Sequence, residues 1–189
     1  MGGPVTPRTW GIFGTMLAGA VLVDSCARPP RRPVFPQPPS SPDQVLEVWL
    51  AKNCKVGEEN DLERSMRRFG PQLTPKLIQA FEKGPPETQT QAIASHAAAE
   101  LAELQQRVAS LRLRPEDARS IMAMPYTAYS GKAVAEFTQA YKSSALAGLG
   151  ATRTQDAIAY LRAETLKPGS DFQGLTGVIL ARIGKSPRR

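Results

Sequence analysis

The sequence predicts an all-α domain behind an apolar N-terminal segment and a proline-rich tether. Three observations carry this. Apolar residues recur at three- and four-residue spacing from Val45 to Ile183, and no alternating β-branched run competes with them. Glycine and proline punctuate that pattern at Gly70-Pro71, Gly84-Pro85-Pro86, Met124-Pro125 and Pro168-Gly169, cutting it into helix-sized pieces. Ahead of the pattern stand an uncharged run, Trp10 to Val23, and a stretch dense in proline.

The chain has 189 residues, enough for one domain of about 150 residues after a targeting segment and a linker are set aside. Lys and Arg number 24 against 17 Asp and Glu, a formal charge of +7. That excess suits an anionic partner, but a solvated basic face explains bare charge as well. Aromatic residues do not interleave with the arginines as in single-strand binders, and no zinc-finger or RNA-recognition pattern occurs. The two cysteines, Cys26 and Cys54, make no disulfide framework and no CxxC.

Trp10 to Val23 is too short to span a bilayer, which takes about 20 apolar residues, and fits the apolar core of a signal peptide with Arg8 before it. Val23-Asp24-Ser25-Cys26 follows: an aliphatic residue, a variable one, a small one and a cysteine. This resembles the lipobox of bacterial lipoproteins. The resemblance covers residues 1–26 and implies that the Cys26 thiol is acylated, becomes the mature N-terminus and holds the protein to the cell-envelope membrane on its extracytoplasmic side. A run of this length also suits an ordinary cleaved signal, an uncleaved anchor or an apolar segment of a cytosolic protein.

Residues 27–41 form the expected tether. Proline lacks a backbone donor and turns its predecessor from helix, so the segment reads as a disordered, extended polyproline-like linker. At about 3.1 Å per residue it reaches roughly 45 Å. The PxxP spacing from Pro33 to Pro36 is what any proline-rich stretch produces.

The helical domain is expected over residues 42–189. Ser41-Pro42-Asp43 opens a first helix with serine as cap, proline in the first turn and aspartate at the positive end. Val45, Leu46, Trp49 and Leu50 give its apolar face, with Cys54 one turn on. Leu62, Met66 and Phe69 mark a second helix that stops at Gly70-Pro71. Thr74-Pro75 opens a third, with Leu77, Ile78 and Phe81 inward, closed by Gly84-Pro85-Pro86. The longest unbroken run is expected from Glu87 to Leu113, burying Ile93, Ala97, Leu101, Leu104, Val108 and Leu111. Arg114-Pro115 starts a short helix, and Met124-Pro125-Tyr126 breaks the chain again.

Toward the C-terminus, Val134, Phe137 and Tyr141 share a face, followed by Ala145 to Gly150, a turn, Asp156 to Leu161, and Val178 to Gly184. Gly150 and Gly184 are 34 apart (184 − 150), each closing an Ala/Leu-rich helix. Met66 to Gly70 closes alike, and Thr74 and Ile78 stand 80 residues before Thr154 and Ile158 (154 − 74). Glycine at such an end supplies a left-handed cap. The Ala-Leu-x-x-Leu-Gly end, clearest across residues 132–184, resembles HEAT repeats. That resemblance implies a short α-solenoid of helix pairs that binds protein partners; an irregular helical bundle is the alternative architecture. Ala157, Tyr160 and Pro168 also fit a tetratricopeptide-like adaptor.

Catalytic chemistry finds little footing. His96 is the lone histidine, too few for a triad or a multi-histidine metal site, and reads as structural. No GxSxG, HExxH, Walker A or GxGxxG pattern occurs. Ser130-Gly131-Lys132 reads as a turn and helix start. Glu58, Glu59, Asp61 and Glu63 read as the acidic start of a helix, without the EF-hand glycine. The expectation is therefore a lipid-anchored, non-enzymatic scaffold without cofactor or metal. Its lipidation site is Cys26, and its partner-binding face is placed at Tyr126 and Tyr129. Protein partners in the envelope are expected in preference to nucleic acid; a basic helical domain binding nucleic acid or another anionic polymer is the rival.

Overall fold

A computed structural model describes residues 39–51 and 60–185. The signal segment with Cys26, the PxxP stretch, Cys54, Glu58 and Glu59 lie outside the described residues. Eight α-helices and no strand occur among the described residues: α1 (Pro42–Ala51), α2 (Asp61–Arg68), α3 (Gly70–Lys83), α4 (Glu87–Arg107), α5 (Pro115–Met122), α6 (Tyr126–Thr152), α7 (Gln155–Leu166) and α8 (Gln173–Lys185). A short 3₁₀ turn, Val108–Ser110, follows α4. The chain is all-α over this span, and no helix in it is long and apolar enough to cross a membrane.

Local signals set most helix starts. The Ser41 hydroxyl accepts from the Gln44 N–H at 3.3 Å, and the Asn60 side chain caps α2 by accepting from Glu63 N–H at 2.9 Å. Thr154 does the same for α7 through Ala157 N–H. Asp61 and Glu63 stand in the first turn of α2, where carboxylates oppose the positive helix end. Glu63 is also buried and takes a 2.8 Å bond from the Arg67 guanidinium.

The core gathers on the second half of α6. Every residue from Ser144 to Thr152 is buried, and α6 touches α1, α2, α3, α4, α7 and α8. Val45 and Trp49 reach it from α1, Met66 from α2, and Leu73 and Leu77 from α3. The closest approach is at Gly148. A Cβ there would stand 2.7 Å from Leu77 Cδ2 and 2.9 Å from the Trp49 indole nitrogen, which itself donates to Ser144 O at 2.8 Å. Only a residue without a side chain admits the indole to that carbonyl.

Several sequence expectations are corrected. The third helix begins at Gly70-Pro71, a turn before Thr74-Pro75, because proline in a first turn gives up a donor that has no partner anyway. Leu73 thereby joins the core. The longest helix is α6, with 27 residues, not the Glu87–Leu113 run, which ends as α-helix at Arg107. On α4 only Ala97 and Leu101 are buried, and Leu104 is exposed, because α4 packs on α6 with only the 3₁₀ turn and α5 beside it. Ser130-Gly131-Lys132 lies inside α6, where one glycine costs about 1 kcal/mol and does not break a long helix. Among the described residues the positive-φ positions are Gly84, Gly169 and Arg153, while Gly70 opens α3 and Gly150 and Gly184 sit within helices. The 80-residue correspondence is a physical contact: Thr74 and Thr154 share a 2.8 Å hydroxyl hydrogen bond.

Two substitutions within α6 separate packing from propensity. Gly148→Ala is expected to destabilise by about 1–3 kcal/mol through overpacking against Trp49 and Leu77. Gly131→Ala, whose Cβ would meet nothing within 4 Å, should stabilise by about 0.5–1 kcal/mol. Urea unfolding of both variants checks the opposite signs.

Candidate functional site

Two surfaces of the helical domain carry features that core packing leaves unused. The first is the end of the domain where α4, the 3₁₀ turn, α5 and the start of α6 meet. Of the seven large apolar side chains exposed among the described residues, five (Leu104, Leu113, Met122, Met124 and Tyr126) fall within this stretch, and Leu166 and Val178 lie on α7 and α8. Met122 is 55% exposed and Tyr126 47%. The backbone beneath them is held by Gln105, whose side-chain N–H donates to Ile121 O at 3.0 Å and Met124 O at 3.3 Å. The Tyr126 hydroxyl donates to Gln105 Oε1 at 2.7 Å. Met122, Met124 and Tyr126 therefore stand at a turn pinned to α4, while Leu104 is on α4 itself and Leu113 just precedes α5.

Tyr126 and Tyr129 lie three residues apart in the first turn of α6, a spacing that puts them on neighbouring positions of one helix face. Tyr126 is exposed and Tyr129 half-buried. The structure therefore ties Tyr126 to α4 through Gln105, in a stretch that also exposes Leu104, Leu113, Met122 and Met124. The sequence reading missed these partners, although Met122-Ala-Met124-Pro125-Tyr126 is apolar on both sides of a proline break. Four exposed arginines, Arg107, Arg112, Arg114 and Arg119, fall within the same stretch of chain. Two of them are paired locally: Arg107 with Glu103 at 3.3 Å, and Arg114 with Asp117 at 2.8 Å.

The second surface is a cavity of about 390 Å³ between the end of α3, the middle of α6, α7 and the α7–α8 loop. Phe81 and Phe172 meet edge to face with ring centroids 5.2 Å apart, and Phe81 and Tyr160 do so at 6.2 Å. The Lys142 ammonium lies over the Phe81 ring, 5.8 Å from its centroid. Glu164, only 7% exposed, takes a 2.5 Å hydrogen bond from the Ser170 hydroxyl and faces Lys167 at 3.8 Å. Ser170 Oγ also accepts from Phe172 N–H, which fixes the loop. The Tyr160 hydroxyl donates to Glu82 Oε1 at 3.2 Å. Sequence reasoning found none of this grouping, because Glu82 and Glu164 are far apart in the chain.

His96 is 73% exposed along its side chain, 3.5 Å from Glu100 on the same helix, and belongs to neither surface. No group of three His, Cys, Asp or Glu side chains that could hold a metal ion occurs among the described residues. The fold and these two surfaces define an all-α chain, and no family model, curated protein or solved structure matches it.

Tyr160 offers a titration readout of the cavity. Burial, then the Glu82 carboxylate by charge and hydrogen bond, then Glu164, push its phenol well above the ordinary 10.0. Burial also raises Tyr141. A raised pKa favours the protonated folded form. The associated stability is fully present below pH 10.0, the unfolded value, and is lost as pH rises toward the folded pKa. In an alkaline absorbance titration, Tyr160→Phe should remove the highest-titrating tyrosine and flatten the stability loss above pH 10.0, and Glu82→Gln should lower Tyr160's titration.

Proposed function

We infer that this chain is a lipid-anchored interaction module of the bacterial cell envelope, tethered through Cys26 and contacting a protein partner through the α4–α5–α6 end. The observation that carries the reading is that Leu104, Leu113, Met122, Met124 and Tyr126 are all exposed within the α4–α5–α6 stretch, the last three at a turn pinned to α4. Apolar groups concentrated on one surface and rimmed by charge mark contact sites, and methionine suits a surface that must adapt to its partner. The partner is a protein segment with apolar side chains to cover this patch and carboxylates to meet Arg112 and Arg119. A nucleic-acid partner has less support, since Arg107 and Arg114 already face carboxylates of their own chain. No catalytic role is part of this reading.

The architecture that fits it is an irregular helical bundle on α6, not a HEAT-like solenoid. Solenoid repeats touch only their neighbours in the stack. Here one helix meets α1, α2 and α3 before it and α7 and α8 after it. The likeness of α3 and α7 at Thr74 and Thr154 then reflects two helix starts packed together.

Two experiments test the reading in parts. Cells fed a clickable fatty acid should label the wild-type protein and not Cys26→Ala; absence of label from both, with the full chain in the cytosol, rejects the anchor. A photo-crosslinking residue at Met122 should give a discrete adduct that one at exposed Gln79 does not. The adduct should vanish in Met124→Ser/Leu113→Ser protein whose unfolding midpoint is unchanged. Equal adducts from both positions reject the contact surface.

A further inference from the structure

We propose that the cavity between α3, α6, α7 and the α7–α8 loop binds an organic ammonium ion. Its walls offer the two kinds of group that hold such ions in partly dry sites, aromatic rings and carboxylates. Phe81 stands nearly perpendicular to both Phe172 and Tyr160, and all three rings line the cavity. One face already holds a cation: the Lys142 ammonium sits over Phe81. That lysine reaches the cavity from α6, and its ammonium marks the position a ligand's would take.

Charge points the same way. Three carboxylates, Glu82, Glu164 and Asp171, line the cavity against two ammonium groups, Lys142 and Lys167, a formal balance of −1 (2 − 3). The chain as a whole carries +7, so this is a local reversal of sign. Helices α3 and α7 both bring their C-terminal ends here, at Lys83 and Leu166, and the exposed carbonyls of a helix end favour positive charge. The α8 N-terminus begins at Gln173 on the same rim, and Asp171 stands just ahead of it to offset that end. Glu164 is buried with Ser170 as hydrogen-bond donor, so the negative floor is built into the fold and not a mobile surface charge. The volume, about 390 Å³, falls within the range of small-molecule sites and accommodates a group of the size of trimethylammonium with a short chain.

The test uses the full-length, ¹⁵N-labelled chain and two probes of equal shape: choline, and 3,3-dimethylbutan-1-ol, which has carbon in place of the charged nitrogen. Choline should give saturable shifts at the amides of Gly169, Ser170 and Phe172, and the alcohol should not. Asp171→Asn, on an exposed loop, should weaken choline by about two- to fivefold, the scale of one exposed cation contact. Lys142→Met removes the competing internal cation and should tighten choline binding by a similar factor. Shifts of equal size from the alcohol, shifts that do not saturate, or weaker binding in Lys142→Met overturn the proposal.

Discussion

The placement of the Trp49 indole on the backbone of α6 is the constraint on which the rest of the domain depends. A buried indole N–H must find an acceptor, and here it takes Ser144 O, a carbonyl inside a helix. It can approach that carbonyl only because residue 148 has no side chain. The contact sets the depth of α1 on α6. Met66 and Leu77 then close over the same glycine, bringing α2 and α3 to the same stretch of helix. The run from Ser144 to Thr152 is small-residue and wholly buried because helices from both sides of the chain must fit around it.

That crowding explains the shape of the remainder. Once α1, α2, α3, α7 and α8 occupy the second half of α6, its first half is left with α4 as its packing partner. A helix pair without a third layer buries a narrow seam, which is why α4 contributes only Ala97 and Leu101 to the buried set. Beyond that seam, the leucines and methionines of the α4–α5–α6 end are only partly covered by their own chain, Met122 least of all at 55% exposed. Their exposure is thus a consequence of where the core sits, and it persists because Gln105 and Tyr126 tie the turn down by hydrogen bonds.

The helical class and most of the core were legible in the chain, since Val45, Trp49, Met66, Leu77, Phe81 and Leu161 follow helical spacing and short-range caps fix many helix starts. Helix ends were less so. Gly70-Pro71 carries the same letters as a stop signal and as a first turn, and only Leu73's burial decides between them. Gly150 resembles a C-cap in sequence, yet the left-handed position falls three residues later, on Arg153. The glycine-rich end of α6 answers to close packing and not to turn chemistry. The 80-residue echo was a true signal whose meaning lay in tertiary contact: Thr74 touches Thr154, and Glu82 touches Tyr160 at nearly the same offset. Helices α3 and α7 are thus linked through side chains, N-terminal part to N-terminal part and later turn to later turn. That pairing brings Glu82 and Tyr160 to the cavity, and no local pattern in either helix reports it.

The two surfaces are joined by one rigid element and separated by its length. Tyr126 and Lys142 both stand on α6, sixteen residues apart, which at 1.5 Å per residue places them about 24 Å apart along the helix. A partner seated on the methionine-rich end therefore has no need to cover the cavity, and a small cation in the cavity would leave that end free. Coupling between them would have to pass through α6 itself, whose intervening turns are held by packing on α4. The crossing at Gly148 lies beyond Lys142, on the far side of the cavity from the exposed end. Tightening or loosening the Trp49 contact would therefore act first on the cavity wall, through Lys142 and the end of α3, and only through the length of α6 on the exposed end.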